Sequence, residues 1–204
     1  MEIAVCGATG NTGRAVVAEA VRRGLLVRAI ARSATAHPWP AGVSAQAVDV
    51  TDAAAVRAAL DGVDAVVFAV GHGSSRERTE LYSRGIRNVL AALGEDRPLS
   101  VISAAPVAPR ASLPLPQRIV AAVLWRFFGA TYTDMRRMEA ELRGSTADWT
   151  CLRPPRLTAG RARGAYQIGA RPEGASITHA DLAAALLDAL DRPELRRQLL
   201  FVAN

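Results

Sequence analysis

Apolar residues fall along this chain in two rhythms. Short runs of strand length occupy Glu2 to Cys6, Leu25 to Ala31, Ala45 to Val48, Val63 to Val70, Leu99 to Ser103, Asp148 to Arg153 and Leu199 to Val202. Most show no polar alternation, so both faces of these strands are expected to be covered. Between them, apolar positions recur at helical spacing: after Gly13, over Ala53 to Leu60, Glu77 to Leu93, Gln117 to Phe128, Thr133 to Arg143 and Leu182 to Leu190. Strands alternating with helices predict an α/β domain with a mostly parallel sheet. Local signals bound the helices. Arg22-Arg23-Gly24 reads as a helix end, Thr51-Asp52 and Thr178 as caps, and a break is expected at Gly129.

The first strand leads straight into Gly7, Gly10 and Gly13, and helical spacing follows in Ala15, Val16, Ala18, Ala20 and Val21. Strand, glycine turn and helix start are the context of a dinucleotide-binding fingerprint. Gly7 gives the tight turn, Gly10 lets the backbone approach a pyrophosphate, and Gly13 lets helix and strand pack closely. The helix N-terminus then offers free N–H groups and partial positive charge to the anion. The expected fold is therefore a Rossmann-type, doubly wound sheet forming a single domain over residues 1–204.

Later candidates follow from that frame. Arg32-Ser33 ends the second strand, where Asp or Glu would bond a ribose 2′-hydroxyl; arginine there suits a 2′-phosphate, against the plainer reading of a solvated loop residue. NADP(H) is thus expected ahead of NAD(H). Asp49-Val50 ends the third strand, where Asp49 is read either as an acceptor for the adenine amino group or as part of the next helix cap. Gly71-His72-Gly73-Ser74-Ser75 is a turn on the carboxyl edge of the sheet; His72 has an active-site position, though such loop histidines are more often bystanders. Ser103 lies where a nicotinamide would reach, as a hydrogen-bonding group or merely a small residue ending a strand. Pro154-Pro155 fixes a turn whose carbonyls are expected to meet an amide. Tyr132 is placed facing a substrate, whereas His179 and Asp181 read as first-turn helix residues. His37-Pro38-Trp39-Pro40 has no evident task.

A loop over Pro106 to Pro116 precedes a helical insertion, about 113–143, whose first half is more apolar than a surface helix needs. A lid, a subunit contact, or burial against the sheet explains the excess, burial being the simplest.

Composition narrows the chemistry. The net charge is +6, yet all 25 basic residues are arginine and none forms a run longer than a pair, so nucleic acid is not the expected partner. With no lysine, a Tyr-x-x-x-Lys proton-transfer dyad cannot exist. No apolar run approaches a membrane span and no charged-then-apolar leader precedes the first strand, so a cytoplasmic protein is expected, monomeric or homodimeric. Cys6 and Cys151 sit in predicted strands without ligand spacing, and no metal is expected.

Gly7-Ala8-Thr9-Gly10 with Thr12-Gly13, Arg32, Asp148-Trp149-Thr150 before Arg153-Pro154-Pro155, and Gly164-Ala165-Tyr166 resemble the atypical short-chain dehydrogenases of the NAD(P)H-binding group. Within it the chain is similar to flavin reductases that also reduce biliverdin-IXβ and, more loosely, to NmrA-type redox sensors. The resemblance implies NADPH held at Gly7, Thr9, Gly10, Asn11, Thr12 and Gly13 around the pyrophosphate. Arg32 and Ser33 would take the 2′-phosphate, Asp49 and Val50 the adenine. Ala69, Val70, Gly71, Ser103, Pro154 and Pro155 would follow the ribose and nicotinamide. It implies a small-molecule acceptor and a serine at the position of Ser103; with Arg156 and Tyr132, Ser103 is a catalytic candidate. Arg156 stands where those reductases carry histidine, which points to an anionic or carboxylate-bearing acceptor. The expected activity is hydride transfer to a flavin, quinone-like or other conjugated acceptor. The alternatives are a non-catalytic NADP(H) sensor, or an epimerase or ketoreductase using Tyr132 or Tyr166 as acid.

Overall fold

The computed structural model describes residues 1–73 and 77–204. Strands β1 (Glu2–Cys6), β2 (Leu26–Ala31), β3 (Val43–Ala47), β4 (Ala65–Phe68), β5 (Leu99–Ile102) and β6 (Trp149–Arg153) alternate with helices α1 (Asn11–Arg22), α2 (Ala53–Ala59), α3 (Leu81–Leu93) and α4 (Leu115–Gly144). Then come β7 (Arg156–Thr158), β8 (Gln167–Gly169), β9 (Ser176–Thr178), helix α5 (His179–Leu190) and β10 (Gln198–Ala203). One eight-stranded sheet runs β3-β2-β1-β4-β5-β6-β10-β8, parallel except for β8. The strand order reverses between β1 and β4, which opens a crevice at their carboxyl ends.

Two apolar layers cover the sheet, which explains the unbroken strand runs. One face packs α1 and α5 through Val16, Val17, Ala20, Leu182, Leu186 and Leu190. The other packs α2, α3 and the second half of α4 through Val56, Ile86, Val89, Met138 and Leu142. Trp39 of the proline loop packs against the first layer and donates from Nε1 to the Ala34 carbonyl at 2.8 Å. Its task is structural. Both cysteines are buried; burial pushes the Cys6 thiol up to about 12 and raises that of Cys151 too. Neither is expected to react with a thiol reagent at pH 8 in the native protein, and both should react in denaturant, as a colorimetric thiol count would show.

Two sequence expectations need correction. Helix α3 begins at Leu81, not Glu77, because its first N–H groups are met there: Leu81 N donates to Thr79 Oγ1 at 3.1 Å and Tyr82 N to Asp134 Oδ2 at 2.8 Å. The break expected at Gly129 is present one residue earlier: the two helical stretches run on as α4 but kink at Phe128 (φ −119°, ψ 20°). Thr133 Oγ1 donates to the Gly129 carbonyl at 2.7 Å, a back-bond of the kind that bends helices. The apolar first half of α4 is also not buried against the sheet: Ile119 is 69% and Val123 54% exposed. A small parallel pair, β7 with β9, was not foreseen. Among the described residues no helix is long and apolar enough to cross a membrane.

Candidate functional site

At the carboxyl edge of β1, β2, β4, β5 and β6 the chain forms a groove of about 680 Å³. Its floor follows from the three glycines. Gly7 turns at φ +82°, and a Cβ there would come within 2.5 Å of the Ala69 carbonyl oxygen. Gly13 is buried, and its Cβ would overlap the Gly7 oxygen at 2.1 Å. Gly10 differs. Its φ of −71° is ordinary, and its Cβ would meet only the Gly7 oxygen, at 3.4 Å. Nothing inside the fold demands glycine at this exposed position, so its bareness serves whatever lies in the groove. Gly10 is the N-cap of α1, which leaves the N–H groups of Asn11, Thr12 and Gly13 without intrahelical acceptors. The floor thus suits a pyrophosphate.

The groove brings together Gly7, Thr9, Gly10, Asn11, Thr12, Arg32, Ser33, Asp49, Val50, Ala69, Val70, Gly71, Ser103, Pro154 and Pro155. Gly13 lies beneath it rather than on it. Arg32 is exposed and forms no ion pair among the described residues, while Ser33 Oγ lies 3.4 Å from Thr9 Oγ1. Asp49 Oδ1 accepts from the N–H and hydroxyl of Thr51, at 2.9 and 2.8 Å, which holds its carboxyl below the usual range. The cap of α2 is Asp52, so Asp49 braces the turn before it while lining the groove.

At the other end, Ser103 is 2% exposed and its Oγ lies 2.7 Å from Glu139 Oε1. Glu139 is also forked by Arg153, Nε at 2.8 Å and Nη2 at 2.6 Å. The loop after β5 packs over the Pro154 carbonyl, and Ala105 N donates to it at 2.8 Å, which leaves one of its two lone pairs for a ligand.

A family model described as NAD(P)H-binding matches residues 7–193. The chain belongs to that NAD(P)H-binding family. Its cofactor is a nicotinamide dinucleotide, which the glycine floor and the open end of α1 fit. The family fold recurs in solved structures. A Lactobacillus casei protein is 29% identical with a TM-score of 0.80, covering 100% of this chain and 99% of that one. A Streptococcus pneumoniae protein assigned as an NADH-flavin reductase is 23% identical with a TM-score of 0.82, over 100% and 99% of the two chains. The anaerobilin reductase ChuY of Escherichia coli O157:H7 is 21% identical with a TM-score of 0.78, over 99% and 96%.

Other candidates of this family member stand apart from the groove. Arg156 is exposed on β7, and its neighbour Leu157 lines the groove instead. The Tyr132 ring packs against Trp125 and Phe128, with centroids 5.4 and 6.4 Å away, and burial raises its hydroxyl pKa. Tyr166 bonds the Asp188 carboxylate beside a separate cavity. His72 is half-buried; its backbone N donates to Tyr82 Oη at 3.0 Å, and its Nε2 is buried without a partner among the described residues. Ser74 and Ser75 lie outside the described residues.

The groove residues that sequence reasoning missed include three on helices. Tyr82, buried on α3, has its hydroxyl pKa raised by burial. Met135 reaches the groove from α4. His179 opens α5, and its Nδ1 lies 2.8 Å from Thr12 Oγ1, with burial pushing its pKa down. Only the cap signal at Thr178 hinted at where His179 would sit; Asp181 reads as expected, donating its N–H to Thr178 Oγ1 at 3.0 Å.

Proposed function

We propose that the chain is an NADPH-dependent reductase acting on a conjugated small-molecule acceptor of flavin or quinone type. One observation carries the reading: a complete dinucleotide floor adjoins an acceptor end almost bare of proton donors. The chain has no lysine. Of its three tyrosines only Tyr82 lines the groove, and burial raises its hydroxyl pKa, which makes it a weak acid. Such acceptors take hydride at an electron-poor atom, and the anion formed is protonated by water, so no strong general acid is needed. The solved neighbours named as an NADH-flavin reductase and an anaerobilin reductase support the same chemistry.

When bound, a reduced nicotinamide supplies the hydride. The chain's own residues bind and orient. The open N–H groups of α1 and the Thr12 hydroxyl hold the diphosphate, and His179 buttresses Thr12. Arg32 and Ser33 grip the 2′-phosphate, a dianion that a planar guanidinium bonds in a fork. Ser103, Pro154 and Pro155 shape the nicotinamide end and exclude water from it.

NADPH oxidation with FMN or menadione, followed by absorbance, should exceed the enzyme-free rate. NADPH should be preferred over NADH by at least about tenfold, and Arg32→Glu should remove that preference. No oxidation above background sinks the proposal. A second reading, a non-catalytic NADP(H) sensor, has its own support in the exposed Leu115, Ile119, Val120, Val123 and Phe127 on α4, a face suited to a protein partner. Cofactor binding without turnover would favour it.

A further inference from the structure

We infer that Ser103 is an acceptor-only position, fixed by the buried Glu139–Arg153 pair, and that it takes a hydrogen-bond donor: the amide N–H of a nicotinamide carboxamide, not its carbonyl. The inference rests on the cofactor reading above and concerns which end of the amide the protein selects.

Three elements meet here. Ser103 follows β5, Glu139 comes from α4 and Arg153 ends β6; they are 2%, 2% and 5% exposed. Arg153 gives its Nε–H to Glu139 Oε1 and an Nη2–H to Oε2. A guanidinium only donates, and a carboxylate accepting on both oxygens only accepts. The proton in the 2.7 Å contact between Ser103 Oγ and Glu139 Oε1 is therefore the serine's. A hydroxyl has one proton, so only lone pairs remain for the groove. No other hydrogen bond engages this Oγ among the described residues, and the Ser103 N–H is already donated to the Leu152 carbonyl at 2.8 Å.

Two consequences follow. Ser103 cannot hand a proton to the acceptor substrate, in keeping with protonation by water. A carboxamide, which carries a donor and an acceptor on one carbon, meets Ser103 with its NH2 end, which sets the rotation of the amide about the ring. Glu139 and Arg153 are positioning residues; they touch the ligand only through Ser103.

The test is calorimetric titration with NADP+, with its 3-acetylpyridine analogue, which keeps the carbonyl but has methyl for NH2, and with 2′-phospho-ADP-ribose, which lacks the ring. Wild type should bind NADP+ about tenfold more tightly than the acetyl analogue, the size of one lost hydrogen bond with a polar group left unmet. Ser103→Ala should bring the two within about twofold while leaving 2′-phospho-ADP-ribose binding unchanged. Glu139→Gln should shrink the discrimination likewise, and Ser103→Ala carries the test alone if that variant does not fold. Equal binding of both dinucleotides by wild type, or discrimination surviving in Ser103→Ala, overturns the inference with the cofactor reading intact. Failure of wild type to bind NADP+ at all would overturn the cofactor reading and this inference together.

Discussion

Alanine at Gly13 is expected to lower the stability of the fold by about 3 kcal/mol and its melting temperature by about 10 °C, with cofactor uptake lost as well. The added methyl would lie 2.1 Å from the Gly7 oxygen and 2.8 Å from Ala8 Cα, both backbone atoms. Neither can step aside alone, because the Gly7 turn is itself wedged against Ala69 and Val70 of the neighbouring chain segment. Alanine at Gly10 provides the contrast. With φ at −71° and the nearest obstacle at 3.4 Å, melting should change by no more than about 2 °C. NADPH should nonetheless bind at least about tenfold more weakly, since the methyl intrudes where a pyrophosphate approaches the helix. Thermal melts beside titrations separate the two effects. A Gly13→Ala protein that melts like wild type would refute the packing argument, and a Gly10→Ala protein with full affinity would move the phosphate off this helix.

Methionine at Arg153 is the second large effect, a loss of about 3–5 kcal/mol. The guanidinium is the main partner of a carboxylate 2% exposed, and Arg143, at 3.5 Å and half in solvent, is a poor substitute. Removing one member of a desolvated pair strands the other without water or counter-charge. Replacing both, Glu139→Met with Arg153→Met, should recover most of the loss, because two apolar chains of similar volume need no solvation. Denaturant unfolding of the two single variants and the double closes the cycle. A near-neutral Arg153→Met would mean that the pair is not desolvated as its geometry implies.

Legibility followed locality. The turn from β1 into α1 was readable because its requirements, a positive φ and close approach within seven residues, are met by residues adjacent in sequence. Arg32 and Asp49 were readable as groove residues because each comes within two residues of the end of a strand that must face the groove. Glu139 was not. It sits at a helical position like any surface glutamate, and only folding places it on Ser103 and Arg153, which lie 36 and 14 residues away along the chain. The start of α3 was misjudged for the same reason: its cap, Asp134, comes from 52 residues downstream. The bond from Ala105 N to the Pro154 carbonyl was not legible either, because it forms where two loops pack together.

The sequence by itself determined the α/β alternation, the parallel sheet, the anion-binding turn and the absence of a lysine-based dyad, since each is set by composition or by spacing along one short stretch. The tertiary structure alone decided that Tyr82, Met135 and His179 reach the groove while Tyr132, Tyr166 and Arg156 do not, and that the apolar half of α4 faces outward. Those outcomes depend on how helices rotate against the sheet and on which distant groups satisfy one another's hydrogen bonds. Periodicity gives the width of a helix's apolar face, but not which neighbour will cover it.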